Sequence, residues 1–139
     1  MISFMSRHFR LILILILFFA FFIRLAPTHD QNVLFTMDQG NDAIHVRKPI
    51  EQHRILLRGT ETGIPGLYTG PGWYWLNSAS YFLFNYHPIA PLISLIIINL
   101  VTTYLLVTYL RKRTSPQVAI FIGIILQFFW SYYDVTRYA

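Results

Sequence analysis

The sequence predicts an all-α integral membrane protein, with about three transmembrane helices and further amphipathic or juxtamembrane helices on the external side. Of its 139 residues, 55% are hydrophobic and only 12% are charged. A soluble domain of this size contains about 25% charged residues, because it needs them to cover its surface. The hydrophobic residues are also grouped into long runs rather than scattered, as in membrane-spanning segments.

Three of these runs are predicted to cross the bilayer, at residues 8–26, 89–110 and 116–133. The first two are long enough to cross about 30 Å of hydrocarbon at about 1.5 Å per residue. The third ends in aromatic residues, which favour the interface between membrane and water. A cleaved signal peptide is the alternative for the first run, because Arg7 and Arg10 precede its apolar core. No small-x-small cleavage site follows, so an uncleaved anchor is favoured.

A fourth apolar stretch, residues 72–86, is short and rich in aromatic side chains. If it crosses the bilayer, the basic turn at residues 111–113 lies on the side opposite Arg7 and Arg10. If it lies along the interface, all five basic residues share one side, as the positive-inside rule favours. We therefore expect a cytoplasmic N-terminus and an external loop over residues 27–88.

The external loop is predicted to contain juxtamembrane helices over residues 41–57 and 72–86. Asn41 is a candidate N-cap for the first of them. An apolar stripe at three-, four- and seven-residue steps marks one face of this helix, and Pro49 is expected to kink or split it. The stripe consists of Ala43, Val46, Ile50 and Leu57. Residues 59–72 contain five glycines and two prolines, which predicts a loop whose backbone can approach a ligand or another helix.

Asp38 lies in a turn directly before the first juxtamembrane helix. Partial desolvation at the membrane surface makes a carboxylate a stronger base, whereas a nearby helix N-terminus favours its ionised form. On local sequence alone, a solvated turn residue is the simpler interpretation. His45 and His53 are two helical turns apart, but no third residue is spaced to complete a metal site with them.

Four elements in order resemble the N-terminal part of the GT-C superfamily of membrane glycosyltransferases. They are "FTMDQGNDA", then "GIPGLYTGPGWYWLNSASYFLF", then a span with a basic turn, and a further span ending in "YYDVTRYA". The nearest group is the bacterial RgtA/B/C/D-like one, related to protein O-mannosyltransferases and lipid A aminoarabinose transferases. The resemblance covers nearly the whole chain and depends on order and spacing, since no single motif is specific. Family members are several times longer, so we expect an N-terminal fragment that is inactive alone.

The resemblance implies transfer of a sugar from a polyprenyl-phosphate donor to a hydroxyl group on a lipid, glycan or protein. Asp38 would be the general base that deprotonates the acceptor hydroxyl, and Asp134 is a possible second acidic residue. The leaving phosphate needs cationic side chains or a divalent metal. Some relatives have Lys-Pro-Pro where this chain has residues 69–71, which are Thr, Gly and Pro. The donor phosphate contact is therefore expected from another basic residue, and the candidates are Lys48, Arg54, Arg58 and Arg137.

The implied location is the bacterial cytoplasmic membrane, with a multi-pass chain and an external catalytic loop. The alternative class is a non-enzymatic small membrane subunit for assembly or transport. A transport path is disfavoured because the two later spans contain no charged residue. The absence of cysteine excludes a disulfide and a thiol nucleophile within this chain. The net charge of +5 fits anionic lipid or phosphate partners, and no basic run with interleaved aromatic residues indicates nucleic-acid binding.

The predicted topology can be tested with single cysteines, since the chain has none of its own. We expect Thr62→Cys to react with a membrane-impermeant thiol reagent in intact cells, because it lies in the external loop. Thr114→Cys is expected to react only after the membrane is permeabilised. Equal labelling of the two variants in intact cells would contradict the arrangement in which residues 72–86 lie along the interface.

Overall fold

The computed structural model of the protein describes residues 2–28 and 37–129, apart from the side chains of residues 2–5, 37, 38 and 48. Within these residues it contains five α-helices and no strand, which confirms the predicted all-helical class. An isolated antiparallel bridge joins Glu61 and Tyr68 in a loop. The helices are α1 (Ile2–Leu25), α2 (Met37–Glu51), α3 (Gly72–Leu83), α4 (Ala90–Leu110) and α5 (Pro116–Phe128).

The chain forms two compact units, one of residues Met1–Asn32 and Leu95–Ala139 and the other of Val33–Ser94. Helix α1 lies in the first unit and α4 lies mostly in it, and both helices are long and apolar enough to cross a membrane. Only 28% and 33% of their most apolar windows are buried inside the protein. A helix that is hydrophobic on all sides and mostly uncovered requires an apolar surrounding, which favours membrane association.

Helix α5 is shorter than the span predicted over residues 116–133. Its 13 residues extend about 20 Å at about 1.5 Å per residue, which is less than a hydrocarbon core of about 30 Å. Ser115 caps its start, accepting the backbone N–H of Val118. The helix ends because Phe129 adopts an extended conformation. The aromatic residues predicted at the end of this span, in 130–133, lie outside the described residues.

The core of the first unit is formed by the faces that α1, α4 and α5 turn towards each other. Its buried side chains recur every three or four residues along α1, as expected for one face of a helix. They are Phe9, Leu13, Leu17, Val107, Ala119 and Ile120. Gly123 permits close approach of α5 to α4, since a Cβ there would lie 3.0 Å from Cγ2 of Val107. Small residues at such contacts are typical of helices that pack within membranes.

A buried polar network joins the same three helices. The Nη1 atom of Arg24 donates to Oδ1 of Asn99 at 2.8 Å, and its Nη2 donates to the carbonyl oxygen of Gln127 at 3.2 Å. The Nε2 atom of Gln127 donates to the same Asn99 oxygen at 3.0 Å and to Oγ1 of Thr103 at 2.6 Å. All four residues are buried. In an apolar bundle such groups must find partners within the protein, so the network fixes how the helices align.

In the second unit, helix α2 begins and ends earlier than the predicted helix over residues 41–57. Asn41 is not the N-cap, because the helix already starts at Met37. Pro49 lies inside the helix and lacks an N–H group, and the helix ends two residues after it. The predicted stripe is correct for Val46, which is fully buried with Ala43 and Ile50 packed against its cluster. It is wrong for Leu57, which lies beyond the helix and is 80% exposed.

Helix α3 begins at Gly72 as predicted but ends at Leu83 rather than near residue 86. The chain turns there because Asn85 and Tyr86 adopt positive φ values of 50° and 61°. Tyr86 donates its N–H to the carbonyl oxygen of Tyr81 at 2.8 Å, which closes the turn. With 12 residues, α3 extends only about 18 Å at about 1.5 Å per residue, which is too short for a span.

The glycine-rich loop folds back on itself between α2 and α3. Backbone N–H groups of Gly59 and Thr69 donate to the carbonyl oxygens of Thr69 and Thr60, both at 2.9 Å. A Cβ atom on Gly59 would lie 2.5 Å from the carbonyl oxygen of Gly70 and 2.3 Å from Oγ1 of Thr69. The sequence predicted that this backbone can approach a ligand or another helix. In the structure it approaches the opposite side of its own loop.

We expect Gly59→Ala to destabilise this unit by about 1–3 kcal/mol, because the backbone of the loop must shift to admit a methyl group. Gly63→Ala is the matched control, since a Cβ there would have no heavy atom within 4 Å. The free energy of unfolding in detergent can be followed by the fluorescence of the tryptophans in α3. Equal stability of the two variants would show that the loop does not close as described.

Candidate functional site

A cavity of about 800 Å³ lies among α2, the start of α3 and the glycine-rich loop, within the second unit. Its lining combines acidic, amide, hydroxyl and aromatic side chains, which is the mixture expected of a site for a polar organic ligand. The lining residues are Asn41, Asp42, His45, Gly59, Thr60, Glu61, Tyr68, Trp73 and Tyr74.

Asp42 is held at the wall of this cavity by two aromatic residues of α3. The indole N–H of Trp73 donates to its Oδ2 atom at 2.6 Å. Burial raises the pKa of the Tyr74 phenol, and the negative charge of Asp42 and a hydrogen bond to it raise that pKa further. Tyr74 is only 3% exposed, so the second partner of the carboxylate is packed in place. The position of this carboxylate is therefore fixed by the packing of α3 against α2.

His45 follows Asp42 by three residues and reaches the same cavity. Its Nδ1 atom lies 2.9 Å from the carbonyl oxygen of Asn41. A carbonyl can only accept, so this hydrogen bond requires the proton on Nδ1 and leaves the lone pair of the neutral ring on Nε2. The ring is nearly parallel to that of Tyr74, with centroids 6.2 Å apart and an angle of 11° between the planes. His45 is thus an oriented group whose Nε2 atom can accept a hydrogen bond.

The loop side of the cavity is organised by Glu61 and Trp75. Oε1 of Glu61 accepts the N–H of Gly66 at 2.8 Å, which fixes the tip of the loop. The indole N–H of Trp75 donates to the carbonyl oxygen of Leu56 at 2.7 Å, which ties the chain after α2 to α3. Trp73 and Trp75, two aromatic residues of the stretch predicted to lie along the interface, therefore use their polar groups within the protein.

The guanidinium group of Arg58 lies at the edge of this region. Its Cζ atom is 5.2 Å from the ring centroid of Tyr68, which lines the cavity. A cation in this position over an aromatic face is held by the ring's quadrupole. Of the basic residues predicted to contact a phosphate, Arg58 is the one that the described structure places beside the cavity. Arg54 is exposed and does not line it.

Several predicted site residues fall outside the described part of the structure. These are the side chains of Asp38 and Lys48, and the whole of Asp134 and Arg137. The backbone places position 38 in the first turn of α2, four residues before Asp42. Positions four apart lie on one face of a helix, so positions 38 and 42 share a face. His45 and His53 are not brought together, because α2 ends before His53, whose φ is 51°.

Asp42 is the residue that the sequence interpretation missed. The stretch "MDQGND" contains two carboxylates four residues apart, which is about one helical turn. Their shared helical face becomes evident only once the helix is known to start at Met37. Placing the helix start at Asn41 put Asp38 outside the helix and hid the shared face. Among the described residues, no three His, Asp or Glu side chains are grouped so that they could hold a metal ion.

Comparison with protein-family models, with curated proteins and with solved structures finds no match for this chain. The chemistry of the cavity therefore has to be inferred from its own residues. It offers two carboxylates and an imidazole nitrogen that can accept hydrogen bonds, together with three aromatic rings. This set suits a neutral ligand with several hydroxyl groups.

We expect Asp42→Asn to lower the pKa of Tyr74, because it removes the negative charge that favours the neutral phenol and leaves only an uncharged, weaker acceptor for its hydrogen bond. That pKa should stay above the usual value of about 10, since burial, its largest cause, persists. Because the pKa of Tyr74 is higher in the folded than in the unfolded state, the neutral phenol stabilises the fold. This stabilisation is complete below about pH 10, the usual pKa of tyrosine, and is lost as the pH rises through the pKa of the folded state. Titration of ¹³C-labelled tyrosine by NMR, assigned with Tyr74→Phe, gives the measurement.

Glu61→Gln is the control for this titration, because Glu61 lines the same cavity but does not contribute to the shift of Tyr74. It should leave the titration of Tyr74 unchanged. An unchanged or higher pKa of Tyr74 in Asp42→Asn would refute the contact between Asp42 and the phenol.

Proposed function

We propose that this chain is the N-terminal part of a GT-C membrane glycosyltransferase, which transfers a sugar from a polyprenyl-phosphate donor to an acceptor hydroxyl. The acceptor would be a lipid, glycan or protein. The observation that carries the proposal is the acidic and aromatic cavity on α2, one helical turn from Asp38. In this proposal, residues 116–133 form the third span of the family's fold.

The cavity is suited to a sugar ring. Sugar hydroxyls donate hydrogen bonds, and the carboxylates of Asp42 and Glu61 can accept them. The C–H face of a sugar ring packs on aromatic side chains, which Trp73 and Tyr68 supply at the cavity wall. Because Trp73 and Tyr74 fix Asp42 before any ligand binds, little ordering is needed on binding.

Asp38 is the proposed general base. It would take the proton of the acceptor hydroxyl as that oxygen attacks the anomeric carbon of the donor sugar. The bond between this carbon and the phosphate oxygen breaks, and polyprenyl phosphate leaves. Asp42 is less suited to this role, because its Oδ2 atom already accepts the indole N–H of Trp73. We assign Asp42 to binding and orienting the sugar.

The departing phosphate carries negative charge that a nearby cation would stabilise. Arg58 is the proposed contact, since its guanidinium group is held over Tyr68 at the edge of the cavity. Lys48, Arg54 and Arg137 remain proposed further contacts from the sequence. The proposal leaves open a divalent metal at the phosphate.

The proposed location is a bacterial cytoplasmic membrane, with the N-terminus inside and the loop of residues 27–88 outside, and one contact in the bundle supports the proposed side of the basic turn. An Nη2 atom of Arg111 donates to the carbonyl oxygen of Ser6 at 3.2 Å. The start of α1 and the basic turn after α4 are therefore adjacent within the first unit. They would share one membrane side, which is the arrangement that the positive-inside rule assigns to the cytoplasm.

The test is a sugar-transfer assay with purified protein in liposomes. The protein is expressed from its whole natural reading frame. Radiolabelled polyprenyl-phosphate hexoses and pentoses are supplied with a cell-envelope fraction as acceptor. We expect Asp38→Asn to lower turnover about 10²–10⁴-fold, the range for a lost general base, with little change in protein level. Asp42→Asn should raise KM more than it lowers kcat, because it weakens binding of the sugar.

Glu51→Gln is the matched control on the same helix. Glu51 is exposed, forms an ion pair with Arg47 at 2.8 Å and does not line the cavity, so this variant should keep wild-type activity. Wild-type activity in Asp38→Asn with none in Asp42→Asn would assign the base to Asp42 instead. Failure of the wild-type protein to transfer sugar from any donor would overturn the proposed function.

A further inference from the structure

A second cavity, of about 580 Å³, lies in the first unit at the end where α1 begins and α4 ends. Three basic side chains line it, together with two tyrosines, a threonine and a leucine. The lining residues are Arg10, Tyr104, Leu105, Thr108, Tyr109, Arg111 and Lys112. This lining has a formal charge of +3 and includes no acidic residue, so the cavity attracts anions.

The basic side chains are not needed to cap helix α4. Its last carbonyl groups accept backbone N–H groups of the turn that follows: Val107 accepts Arg111, Tyr109 accepts Lys112, and Leu110 accepts both Arg113 and Thr114. A helix C-terminus often uses the side chains of Lys or Arg for this purpose. Here the backbone does so, and the side chains of Arg111 and Lys112 line the cavity instead.

Arg111 is held in position from two sides. Its Cζ atom lies 4.5 Å from the ring centroid of Phe9, which is 1% exposed and belongs to the core. Its Nη2 atom donates to the carbonyl oxygen of Ser6. A guanidinium group has five N–H donors, so most of them remain for a ligand. An arginine fixed in this way loses little side-chain freedom when it binds an anion.

An apolar strip on α4 leads into this cavity. Ile98, Val101 and Leu105 are 45%, 52% and 60% exposed and recur at three- and four-residue steps along one face of the helix. Leu105 also lines the cavity. The strip belongs to a helix that is long and apolar enough to span the bilayer. A ligand with both a phosphate and an acyl chain would cover both surfaces, whereas a free phosphate would use only one.

We infer that this cavity binds the headgroup of an anionic phospholipid, with its phosphate between Arg10, Arg111 and Lys112 and an acyl chain along the strip on α4. The tyrosine hydroxyls of Tyr104 and Tyr109 can donate to the same phosphate. Thr108 cannot, because its hydroxyl already donates to the carbonyl oxygens of Tyr104 and Leu105. Basic pockets between membrane helices commonly bind lipid headgroups in this way. This site is separate from the proposed glycosyltransferase activity and does not depend on it.

The test is a lipid titration of the purified protein in detergent, read by native mass spectrometry. Dioleoyl phosphatidylglycerol is compared with dioleoyl phosphatidylcholine, and we expect retained binding for the first only. Each basic side chain near an anionic headgroup contributes roughly fivefold to affinity. Lys112→Gln and Arg10→Gln should therefore each weaken binding of phosphatidylglycerol about fivefold. Arg111→Lys keeps the charge but loses the planar guanidinium group, whose paired N–H groups can bind two phosphate oxygens at once. It should therefore also weaken binding.

Arg7→Gln is the matched control, because it removes the same charge one helical turn before Arg10, and Arg7 is exposed and does not line the cavity. It should leave binding within about twofold of wild type, since rim charges outside a site contribute little. Lys112 is exposed, so its substitution leaves the fold intact even if a change at Arg111 does not.

Three results would overturn the inference. An equal loss of binding in Arg7→Gln and Lys112→Gln would show that the effect comes from general charge. If the protein retained phosphatidylcholine as well as phosphatidylglycerol, apolar contacts alone would explain the binding. Displacement of bound phosphatidylglycerol by millimolar inorganic phosphate would identify a site for soluble phosphate rather than for lipid.

Discussion

The contact of Asp42 with Trp73 and Tyr74 is the interaction on which the second unit depends. The carboxylate lies on α2 and both aromatic residues lie on α3, so one acidic group joins the two helices. Val46 on α2 and Tyr81 on α3 are buried in the cluster that covers the same interface. Apolar packing provides most of the stabilisation there, while the carboxylate sets the alignment, since a hydrogen bond requires a defined geometry and packing alone does not.

The first unit has the opposite arrangement, with apolar side chains over much of its surface and polar groups inside, as expected for helices in a membrane. Between Leu11 and Phe22 the exposed side chains of α1 are all leucine, isoleucine or phenylalanine, whereas Arg24, Asn99 and Gln127 are buried together. Water cannot satisfy a polar group at such a position in a membrane, so each one needs a partner on another helix. The bundle is thereby specified by a few directional contacts, with close packing at Gly123 adding to them.

The sequence was sufficient to predict the helical class and two helices long and apolar enough to cross a membrane, because these follow from composition and run length. It also identified Val46 as a core residue of α2, since the spacing of its apolar neighbours is local information. It misplaced the start of α2 because Asn41 is a good N-cap residue, and the preference of a single residue cannot exclude a start one turn earlier. The pairing of Asp42 with Trp73 joins residues 31 positions apart. No local pattern encodes such a contact, so the candidate site could not be assembled before the fold was known.

The charges of the cavity restrict how a phosphate-linked sugar would have to lie in it. Asp42 and Glu61 line one cavity, and two carboxylates repel a phosphate that enters between them. The phosphate must then lie away from both, and Arg58 offers a cation at the edge of the site. A sugar bound by the carboxylates with its phosphate at Arg58 would place the anomeric carbon, which joins the two parts, between them. The acceptor oxygen must approach that carbon from the side opposite the phosphate, and a base on α2 would take the proton from this oxygen. The same separation of charge that binds the donor would thus orient it for attack.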